Sequence, residues 1–287
     1  MGTVGSNIVG SNVVLASGQP FCSPVAAELI DQLTAAAGTA PTALWVPGEQ
    51  TWETSGLDDP AEVADHIYQI DDLTGNAYHL REISSAKGPI LRSGQCGTGL
   101  SMEFLRTNAE ALDCLLSFDG AATDMHAVRA STLAAVVNLP DNNVDDSTIS
   151  RNPGIFGQTN SAGGRPLLVW RDDPTSHLIG AHAASGAAAS INTTSAPYDT
   201  DLVVAIRNGT GGYRVSADKT HTPDTGTAGD MVLSRTLTLG RVLNDISSFI
   251  YLSGDIGIMA AWNVMLTNGQ LDDVVDVIRA AQGCSAV

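Results

Sequence analysis

The chain has few basic residues and almost no lysine. Its 287 residues include 14 basic and 31 acidic side chains, which gives a formal net charge of −17, and its lysines are Lys87 and Lys219. Because a strongly negative chain is repelled by a phosphate backbone, nucleic acid is excluded as an expected partner. Long hydrophobic runs are also missing, since no apolar stretch approaches the ~18 residues of a membrane-spanning helix. The sequence therefore predicts a protein that does not insert into a membrane.

Cysteine is sparse and irregularly placed. The 4 cysteines are at positions 22, 96, 114 and 284, with no CxxC pair. A zinc site is therefore not expected. The first residues contain neither a basic region nor a long apolar segment, so no secretory signal peptide is expected. Free, mostly buried thiols in a protein made in a cytoplasm are the expectation, with two disulfides as the alternative.

Motifs of the common hydrolytic mechanisms are missing as well. The chain has no G-x-S-x-G nucleophile elbow, and its glycine-rich segment 209–212 lacks the lysine of a phosphate-binding loop. The 6 histidines are scattered, and the spacing of His177 and His182 matches neither a helical metal pair nor a same-face strand pair. A protein that is not an enzyme is therefore expected, with a carboxylate pair assembled from distant loops as the alternative.

The abundant residues favour β-structure. Hydrophobic residues make up 43% of the chain and glycine supplies 29 residues, which suits a large core with many turns. Segment 201–206 predicts a strand, and the glycine-rich turn after it predicts a hairpin with the alternating segment 213–217. The longest alternation runs from Ile256 to Leu266, and it predicts a strand with one buried face and one small or polar face.

The N-terminal part of the chain has a different pattern. Residues 1–20 are low in charge and contain the near-repeat Gly-Ser-Asn-Ile-Val and Gly-Ser-Asn-Val-Val. This segment is either an arm that pairs with a neighbouring subunit or a flexible tail. Residues 23–38 predict a helix, with Ser23 as its cap, Gly38 at its exit, and an apolar stripe of Val25, Leu29 and Leu33.

A second helix is predicted at the C-terminus. Thr267 and Gln270 have the spacing of a capping box, Leu271 begins an apolar stripe, and Gly283 is the expected C-cap. Between the two helices the chain consists of predicted strands and turns without βαβ units, which disfavours a doubly wound fold. We therefore divide the chain into residues 1–42, an arm and helix for assembly or anchoring, and residues 43–287, a β-sandwich.

Four short segments are informative through their order and spacing. They are Ala43 to Trp45, Ile70 to Leu80, Leu116 to Gly120, and Gly254 to Trp262. Together they resemble concanavalin A-like, laminin-G-type jelly-roll modules, whose D-x-S-G-N-G turn, F-D-G strand end and closing G-x-I strand are similar to the last three. Thr74 and Ala77 stand where the modules have serine and glycine, and residues 121–200 align with no part of them. The resemblance implies an all-β, lectin-like jelly-roll sandwich.

Two tryptophans lie among polar residues and are candidate ligand-binding residues. Trp52 lies between Thr51 and Glu53, and Trp170 precedes Arg171. Because an aromatic face against a sugar ring is a common binding surface, both are candidate sugar platforms, although the favoured interpretation is that they are half-buried loop anchors. The other two tryptophans lie in apolar alternation and are expected in the core; they are Trp45 and Trp262.

Acidic residues supply the remaining candidates. Asp119 and Asp124 lie where the resemblance implies an occasional calcium site, which requires hard oxygen ligands on loops. No other cofactor is expected. Asp71, Asp72 and Asn76 belong to the predicted turn, and we expect them to close it by bonding backbone groups rather than to bind a ligand.

The resemblance implies a function in binding or assembly. Lectin-type modules occur in the decoration proteins, head fibres and tail fibres of tailed bacteriophages, and the low-charge arm fits such a virion structural protein. Its expected partners are other virion proteins, copies of itself and a host-surface glycan, and its expected location is the virion after synthesis in the host cytoplasm. The alternatives are a bacterial carbohydrate-binding module or adhesin, which would be extracellular, and a glycosidase.

Overall fold

The structure is a computed structural model that describes residues 24–82, 88–104, 115–117, 131–139, 154–158, 167–173, 176–182, 188–192, 200–209, 212–223, 237–243, 249–252 and 254–285. Within these residues the chain forms two helices, α1 (Pro24–Ala37) and α2 (Asn268–Gln282). The strands of the same residues are, in chain order, β1 (Ala43–Trp45), β2 (Thr51–Trp52), β3 (Gln69–Ile70), β4 (Leu80–Arg81), β5 (Ile90–Ser93), β6 (Leu100–Phe104), β7 (Leu115–Ser117), β8 (Ser131–Asn138), β9 (Gly154–Gln158), β10 (Leu167–Asp173), β11 (Ser176–His182), β12 (Ala188–Asn192), β13 (Asp201–Gly209), β14 (Gly212–Ala217), β15 (Thr220–His221), β16 (Leu237–Leu239), β17 (Arg241–Leu243), β18 (Phe249–Tyr251) and β19 (Gly254–Trp262).

Most strands belong to two antiparallel sheets. Sheet A has the strand order β15-β14-β13-β8-β19-β6-β5, with β1 also paired to β19. Sheet B has the order β12-β11-β10-β9-β16-β7-β4-β3-β2, and β17 pairs with β18. Every strand pairing in the described residues is antiparallel, which fits a chain without βαβ crossovers. The all-β sandwich predicted from the sequence is confirmed, and so is the hairpin formed by β13 and β14.

The main core lies between the two sheets. Val137 and Val204 of sheet A and Ile70 and Leu80 of sheet B are all fully buried in it. Trp45 is fully buried in the same core, where its indole Nε1 donates a hydrogen bond of 2.8 Å to the carbonyl of Tyr78. The expectation that Trp45 is a core residue is confirmed.

A second core lies between sheet A and the two helices. Leu33 of α1 and Val274 of α2 pack there with Ile258, Ala260 and Trp262 of β19. Every residue of β19 is buried, including those of the face expected to be small or polar, so the expectation that only one face of this strand is buried is wrong. The two helices cover the face of β19 that the sequence pattern predicted to be exposed to water. The strand also ends at Trp262, before the last residues of the alternating segment.

The helices begin and end as their capping residues predict. The Thr267 side chain accepts a hydrogen bond from the backbone of Gln270, whose side chain reaches back to the Thr267 backbone, and Gly283 closes α2 in the left-handed conformation. In α1, Leu29 and Leu33 are buried as expected, but Val25 is 46% exposed because the buried stripe of the helix begins at Ala26, the next residue, and Val25 lies beside it. Ser23, the predicted cap, lies outside the described residues.

The end of α2 is fastened to sheet A by side-chain hydrogen bonds. Gln282 Nε2 donates to the carbonyl of Cys96, and its Oε1 accepts from the backbone N–H of Ile258, both at 2.8 Å. Cys96 and Cys284 are free thiols, as expected, and the other two cysteines lie outside the described residues. Burial raises the pKa of the Cys284 thiol to about 11. Neither helix of the described residues is long and apolar enough to cross a membrane.

Candidate functional site

One outer patch of sheet B brings aromatic, charged and amide side chains together. It lies at the edge of the sheet, where β2, β3 and β4 are adjacent, and Trp52, Gln69 and Arg81 are register partners across these strands. Since side chains alternate between the two faces of a strand, these three lie opposite the buried core residues Ile70 and Leu80. We call the patch the Trp52 cluster, and it consists of Trp52, Tyr68, Gln69, Asp71, His79 and Arg81. Gln69, at its centre, is covered by its neighbours, and the other members reach solvent.

The indole ring of Trp52 is held in place by hydrogen bonds around it. Its Nε1 donates to Asp71 Oδ2 at 2.9 Å, and its backbone carbonyl accepts from Tyr68 N at 2.7 Å. A bridge to Pro60 fixes the other side of the strand. The residue remains half-buried, so one part of it is anchored and another part is open to the surface. Of the two predicted roles, the anchor and the platform are therefore both compatible with the position of Trp52.

Asp71 connects the tryptophan to a histidine. Its Oδ1 lies 2.9 Å from His79 Nδ1 and also accepts a hydrogen bond from Gln69 Nε2. Burial alone would raise the pKa of Asp71, but the hydrogen bonds from His79, Trp52 and Gln69 together lower it. The contact with Asp71 raises the pKa of His79, against the opposing effect of burial. The contact between Asp71 and His79 therefore favours the ionised carboxylate of Asp71 and the protonated imidazole of His79.

His79 has two mutually exclusive contacts at the same nitrogen. Nδ1 lies 2.9 Å from Asp71 Oδ1 and 3.2 Å from the backbone N–H of Asp72. A neutral Nδ1 with a lone pair accepts from Asp72, whereas a protonated Nδ1 donates to Asp71. The other ring nitrogen, Nε2, has no hydrogen-bond partner among the described residues, and the side chain is 33% exposed. His79 is thus a group that a ligand can reach.

Arg81 completes the patch on the side away from Trp52. Its Nε donates to Gln69 Oε1 at 2.7 Å, and its guanidinium carbon lies 5.9 Å from the centre of the Tyr68 ring. That distance is within the range of a cation–π interaction. The cluster therefore combines two aromatic rings with a carboxylate, an imidazole and a guanidinium in one patch.

The segment that follows Trp52 is strongly acidic. We call residues 53–65 the acidic loop, and its carboxylates belong to Glu53, Asp58, Asp59, Glu62 and Asp65. The Glu53 backbone N–H donates to the carbonyl of Asp59 at 3.0 Å, which folds the loop back beside the tryptophan. The negative charge of Asp65 raises the pKa of Glu53, with smaller contributions from burial, Asp59 and Glu62.

The turn after β3 is closed by Asp72, as the sequence predicts. Asp72 Oδ1 accepts from the backbone N–H of Leu44 and of Thr74, both at 3.0 Å, and Oδ2 accepts from the backbone N–H of Tyr78 at 3.2 Å. The Asn76 amide donates to the carbonyl of Thr42 at 2.8 Å. The structural role expected for Asp72 and Asn76 is confirmed. Asp71 departs from that expectation, since its carboxylate faces the side chains of the Trp52 cluster.

The structure describes the other predicted site residues only in part or not at all. Trp170 lies in β10, far along sheet B from β2 in strand order, and its side chain lies outside the described part of the chain. Asp119 and Asp124 lie outside the described residues, so calcium binding by them stays a prediction. In the described segments no group of three or more histidine, cysteine, aspartate or glutamate side chains is placed to hold a metal ion.

Sequence reasoning did not find four members of the cluster as site residues: Tyr68, Gln69, His79 and Arg81. The feature of the sequence that could have indicated them is the i, i+2 spacing of polar residues in two short segments, Gln69 with Asp71 and His79 with Arg81. Side chains with this spacing share one face of a strand. Recognising the patch from the sequence would also have required the pairing of β3 with β4.

A serine, a histidine and an aspartate lie in line at the other edge of the sandwich, in sheet A. Ser216 Oγ lies 2.8 Å from His221 Nδ1, and His221 Nε2 lies 2.9 Å from Asp272 Oδ1. Ser216 is fully buried, and its hydroxyl also accepts a hydrogen bond of 3.1 Å from Arg207 Nη2. A nucleophile must reach its substrate, so this arrangement fits a structural link between β14 and α2 rather than hydrolysis.

A row of three carboxylates and one amide crosses sheet A on its helix-facing side. Glu103, Asp255, Asn138 and Asp201 are register partners on adjacent strands. Burial raises the pKa of Asp255 to about 6, with the nearby carboxylates adding to the rise and a hydrogen bond from Ser101 opposing it. Asp255 is only 8% exposed. The row is therefore part of the packed layer under the helices.

The chain matches no known protein-family profile and no curated protein sequence. Its fold is similar to several solved structures. One is the botulinum neurotoxin serotype D ligand-binding domain in complex with N-acetylneuraminic acid, at TM-score 0.50 and 10% identity, covering 85% of this chain and 52% of that chain. Another is a serotype D binding domain, at TM-score 0.50 and 9% identity, covering 82% and 51%. The chain spans about half the length of these domains, and the likeness shows the fold alone.

Proposed function

We propose that the chain is a non-enzymatic recognition module that binds glycans at the Trp52 cluster. The observation that carries the proposal is the anchored, half-buried ring of Trp52 beside Asp71, His79 and Arg81 on one outer sheet surface. The similar fold of a neurotoxin domain solved with N-acetylneuraminic acid supports a recognition role for this architecture.

The chemistry of the cluster fits a sugar ring. The apolar face of a sugar packs against an aromatic ring, and its hydroxyl groups need donors and acceptors at the edge of that ring. Asp71 supplies an acceptor, and His79 supplies a nitrogen without a partner among the described residues. Because Trp52 and Asp71 already hold each other in place, little side-chain freedom is lost on binding.

A glycan array with matched variants tests this proposal. Trp52→Ala should abolish binding, because it removes the stacking face, and Trp52→Phe should retain part of it, because a ring remains without the bond to Asp71. Val63→Ala is the matched control, since Val63 is a 51% exposed apolar residue of the neighbouring acidic loop. Equal binding by wild type, Trp52→Ala and Val63→Ala would place the site elsewhere. Trp170→Ala then tests the second predicted platform.

The non-enzymatic part of the proposal has its own test. The strongest competing arrangement is the pair of opposed carboxylates Glu103 and Asp255, which lies in the layer covered by the helices. We expect no release of reducing sugar from polysaccharides that the array identifies as ligands. Turnover that disappears on Asp255→Asn would instead support a glycosidase.

We also propose that the chain belongs to the surface of a tailed-bacteriophage particle, as a decoration or fibre protein. The support is the resemblance of its motifs to phage lectin-type modules and the low-charge near-repeat in residues 1–20. In this proposal residues 1–42 contact other virion proteins or copies of the chain, and residues 43–287 face outward. Copurification with assembled particles at a fixed copy number tests it. Recovery only as a free monomer would favour the alternative of a bacterial carbohydrate-binding module or adhesin.

A further inference from the structure

We infer that the Trp52 cluster recognises glycans that carry a carboxylate, which binds at the imidazole Nε2 of His79, and that this binding weakens as the pH rises. The inference rests on the proposed glycan-binding function and adds the ligand class and the control of binding by pH. It follows from the way in which one carboxyl group, that of Asp71, holds both the tryptophan and the histidine.

Asp71 joins Trp52 and His79 through its two oxygens. Its Oδ2 accepts from Trp52 Nε1 and its Oδ1 lies against His79 Nδ1, both at 2.9 Å. Asp71 comes directly after β3 and His79 directly before β4, so the antiparallel pairing of these strands places both residues at the same end. Because one carboxyl group separates the indole nitrogen from the imidazole, a sugar that packs against Trp52 can reach His79.

His79 is more open to a ligand than the carboxylate that holds it. Each Asp71 oxygen already accepts a hydrogen bond within the cluster, with Gln69 Nε2 as a further donor to Oδ1, and the carboxyl side chain is 14% exposed. His79 Nε2 has no hydrogen-bond partner in the part of the chain that the structure describes, and its side chain is 33% exposed. The cluster therefore presents an imidazole nitrogen to the polar groups of a ligand.

The contact with Asp71 decides what this nitrogen offers. The bond from Nδ1 to the ionised carboxylate is shorter than the 3.2 Å contact with the backbone N–H of Asp72 and is charge-assisted, so Nδ1 keeps its proton in the neutral and in the protonated ring. In the neutral ring Nε2 has a lone pair, which repels a carboxylate, and in the protonated ring it has an N–H, which donates to one. Asp71 raises the pKa of His79, so the donating form extends above the usual pH range of histidine.

The charges around His79 allow a further anion at Nε2. The groups that act most strongly on the imidazole are Asp71 and Asp72, which follow β3, and Arg81 of β4. Asp71 is paired with the opposite ring nitrogen, and the Asp72 carboxylate is 4% exposed and accepts from the backbone N–H groups of other residues. Arg81 is close enough for its positive charge to oppose the protonation of His79. A carboxylate at Nε2 therefore interacts with two cations.

The strength of a charged hydrogen bond sets the size of the effect. Such a bond can raise affinity roughly tenfold or more. Since a third of the His79 side chain is exposed, water screens the charges, and we expect about a tenfold difference between the protonated and the neutral imidazole. A sugar hydroxyl can donate or accept, so it loses little when Nε2 changes from donor to acceptor.

The test compares neutral glycans with their sialylated and uronic-acid counterparts on the same array, from about pH 5.5 to about pH 9 at constant ionic strength. The ligand carboxylates stay ionised over this range, since ordinary carboxyl groups titrate at about pH 4. Wild type should bind the carboxylated members about tenfold more tightly at the lowest pH than at the highest, and the neutral members should change by less than about twofold. A gain shared by the sialylated and uronic-acid members assigns recognition to the carboxylate, and a gain in one class identifies the sugar that carries it.

Two histidine variants locate the effect. His79→Gln keeps a polar side chain that cannot be protonated, so it should remove the pH dependence of binding to the carboxylated members. The matched control is His66→Gln, which replaces an exposed histidine outside the cluster and should keep the wild-type pH profile. If His79→Gln does not fold, the wild-type profile of the carboxylated members against the neutral ones still decides.

The outcomes separate this inference from the proposed function. Carboxylated glycans whose binding to wild type does not change with pH, or changes in the same way in His79→Gln, overturn the inference and leave glycan binding intact. A preference of wild type for the neutral members at the lowest pH does the same. Absence of binding to every glycan at every pH overturns the proposed function and the inference with it.

Discussion

Asp255→Asn should stabilise the protein, although it replaces a buried hydrogen-bonded residue. Asp255 is 8% exposed and lies in one cross-strand row with Glu103 and Asp201, so its charge is both desolvated and close to like charges. Its pKa rises from 3.8 to about 6. A difference of that size corresponds to about 3 kcal/mol of folding free energy lost when the group is ionised, which is an upper estimate for the gain.

The pH dependence of the gain follows from the direction of that pKa change. Between pH 3.8 and about 6 the folded protein binds the Asp255 proton and the unfolded chain does not, so this group stabilises the fold as the pH falls through that window. Above pH 6 the Asp255 carboxyl is ionised in both the folded and the unfolded protein, and the full free-energy cost of burying its charge is present. The asparagine of the variant has no charge to bury, and its amide oxygen retains the acceptor for the Ser101 hydroxyl, which donates at 2.9 Å in the wild type.

Urea denaturation at pH 7.5 and at pH 4 measures the effect. The variant should exceed the wild type by about 1–3 kcal/mol at the higher pH, and the difference should nearly vanish at the lower pH. Asp273→Asn, at an exposed position of α2, removes the same charge and should change the free energy of unfolding by less than about 0.5 kcal/mol. A difference that is the same at both pH values, or a destabilised variant, would refute the reasoning.

Backbone conformation and ion pairing give three more expected outcomes. Ala77→Gly should raise the free energy of unfolding by about 1 kcal/mol because Ala77 has a φ of 61°, whereas Ala35→Gly in α1 should lower it by about 1 kcal/mol; losses at both positions would contradict the strain argument. Gly97→Ala should lower the thermal midpoint more than Gly94→Ala: both glycines have positive φ, but a Cβ at Gly97 would lie 2.5 Å from a backbone oxygen of α2, and one at Gly94 would meet nothing within 4 Å. For His79→Asn, the stability lost relative to wild type should be fully present well below pH 6.5, while Asp71 is still ionised, and should disappear as the pH rises through the raised pKa of His79; denaturation across pH follows it, and a constant difference would exclude the ion pair as its cause.

Much of the fold follows from local sequence signals. The capping box of Thr267 and Gln270 and the left-handed Gly283 place α2 within a residue or two, because these side chains satisfy backbone groups that a helix end leaves unpaired. Alternation predicted β19, but it could not reveal that both faces are covered, since burial of the second face depends on helices at the two ends of the described chain.

The candidate site was less accessible to sequence reasoning. Trp52 was predicted from its polar neighbours, and Asp71 and His79 lie in a segment expected to form only a turn. They become one surface because Trp52 pairs with Gln69 and Gln69 pairs with Arg81, and pairing register between strands only two residues long leaves almost no pattern in the sequence. The chemistry of the cluster therefore depends on tertiary structure rather than on any local motif.

The two helices that lie on sheet A also give the molecule a front and a back. A molecule tethered to a sensor chip through an exposed helix position, such as Ala35 or Ala280 changed to cysteine, would have sheet B turned toward the analyte. Coupling at random through amines would use two lysine side chains besides the α-amino group. One of them, Lys219, lies 2.7 Å from Asp276 of α2, so coupling there would also attach the molecule by its back.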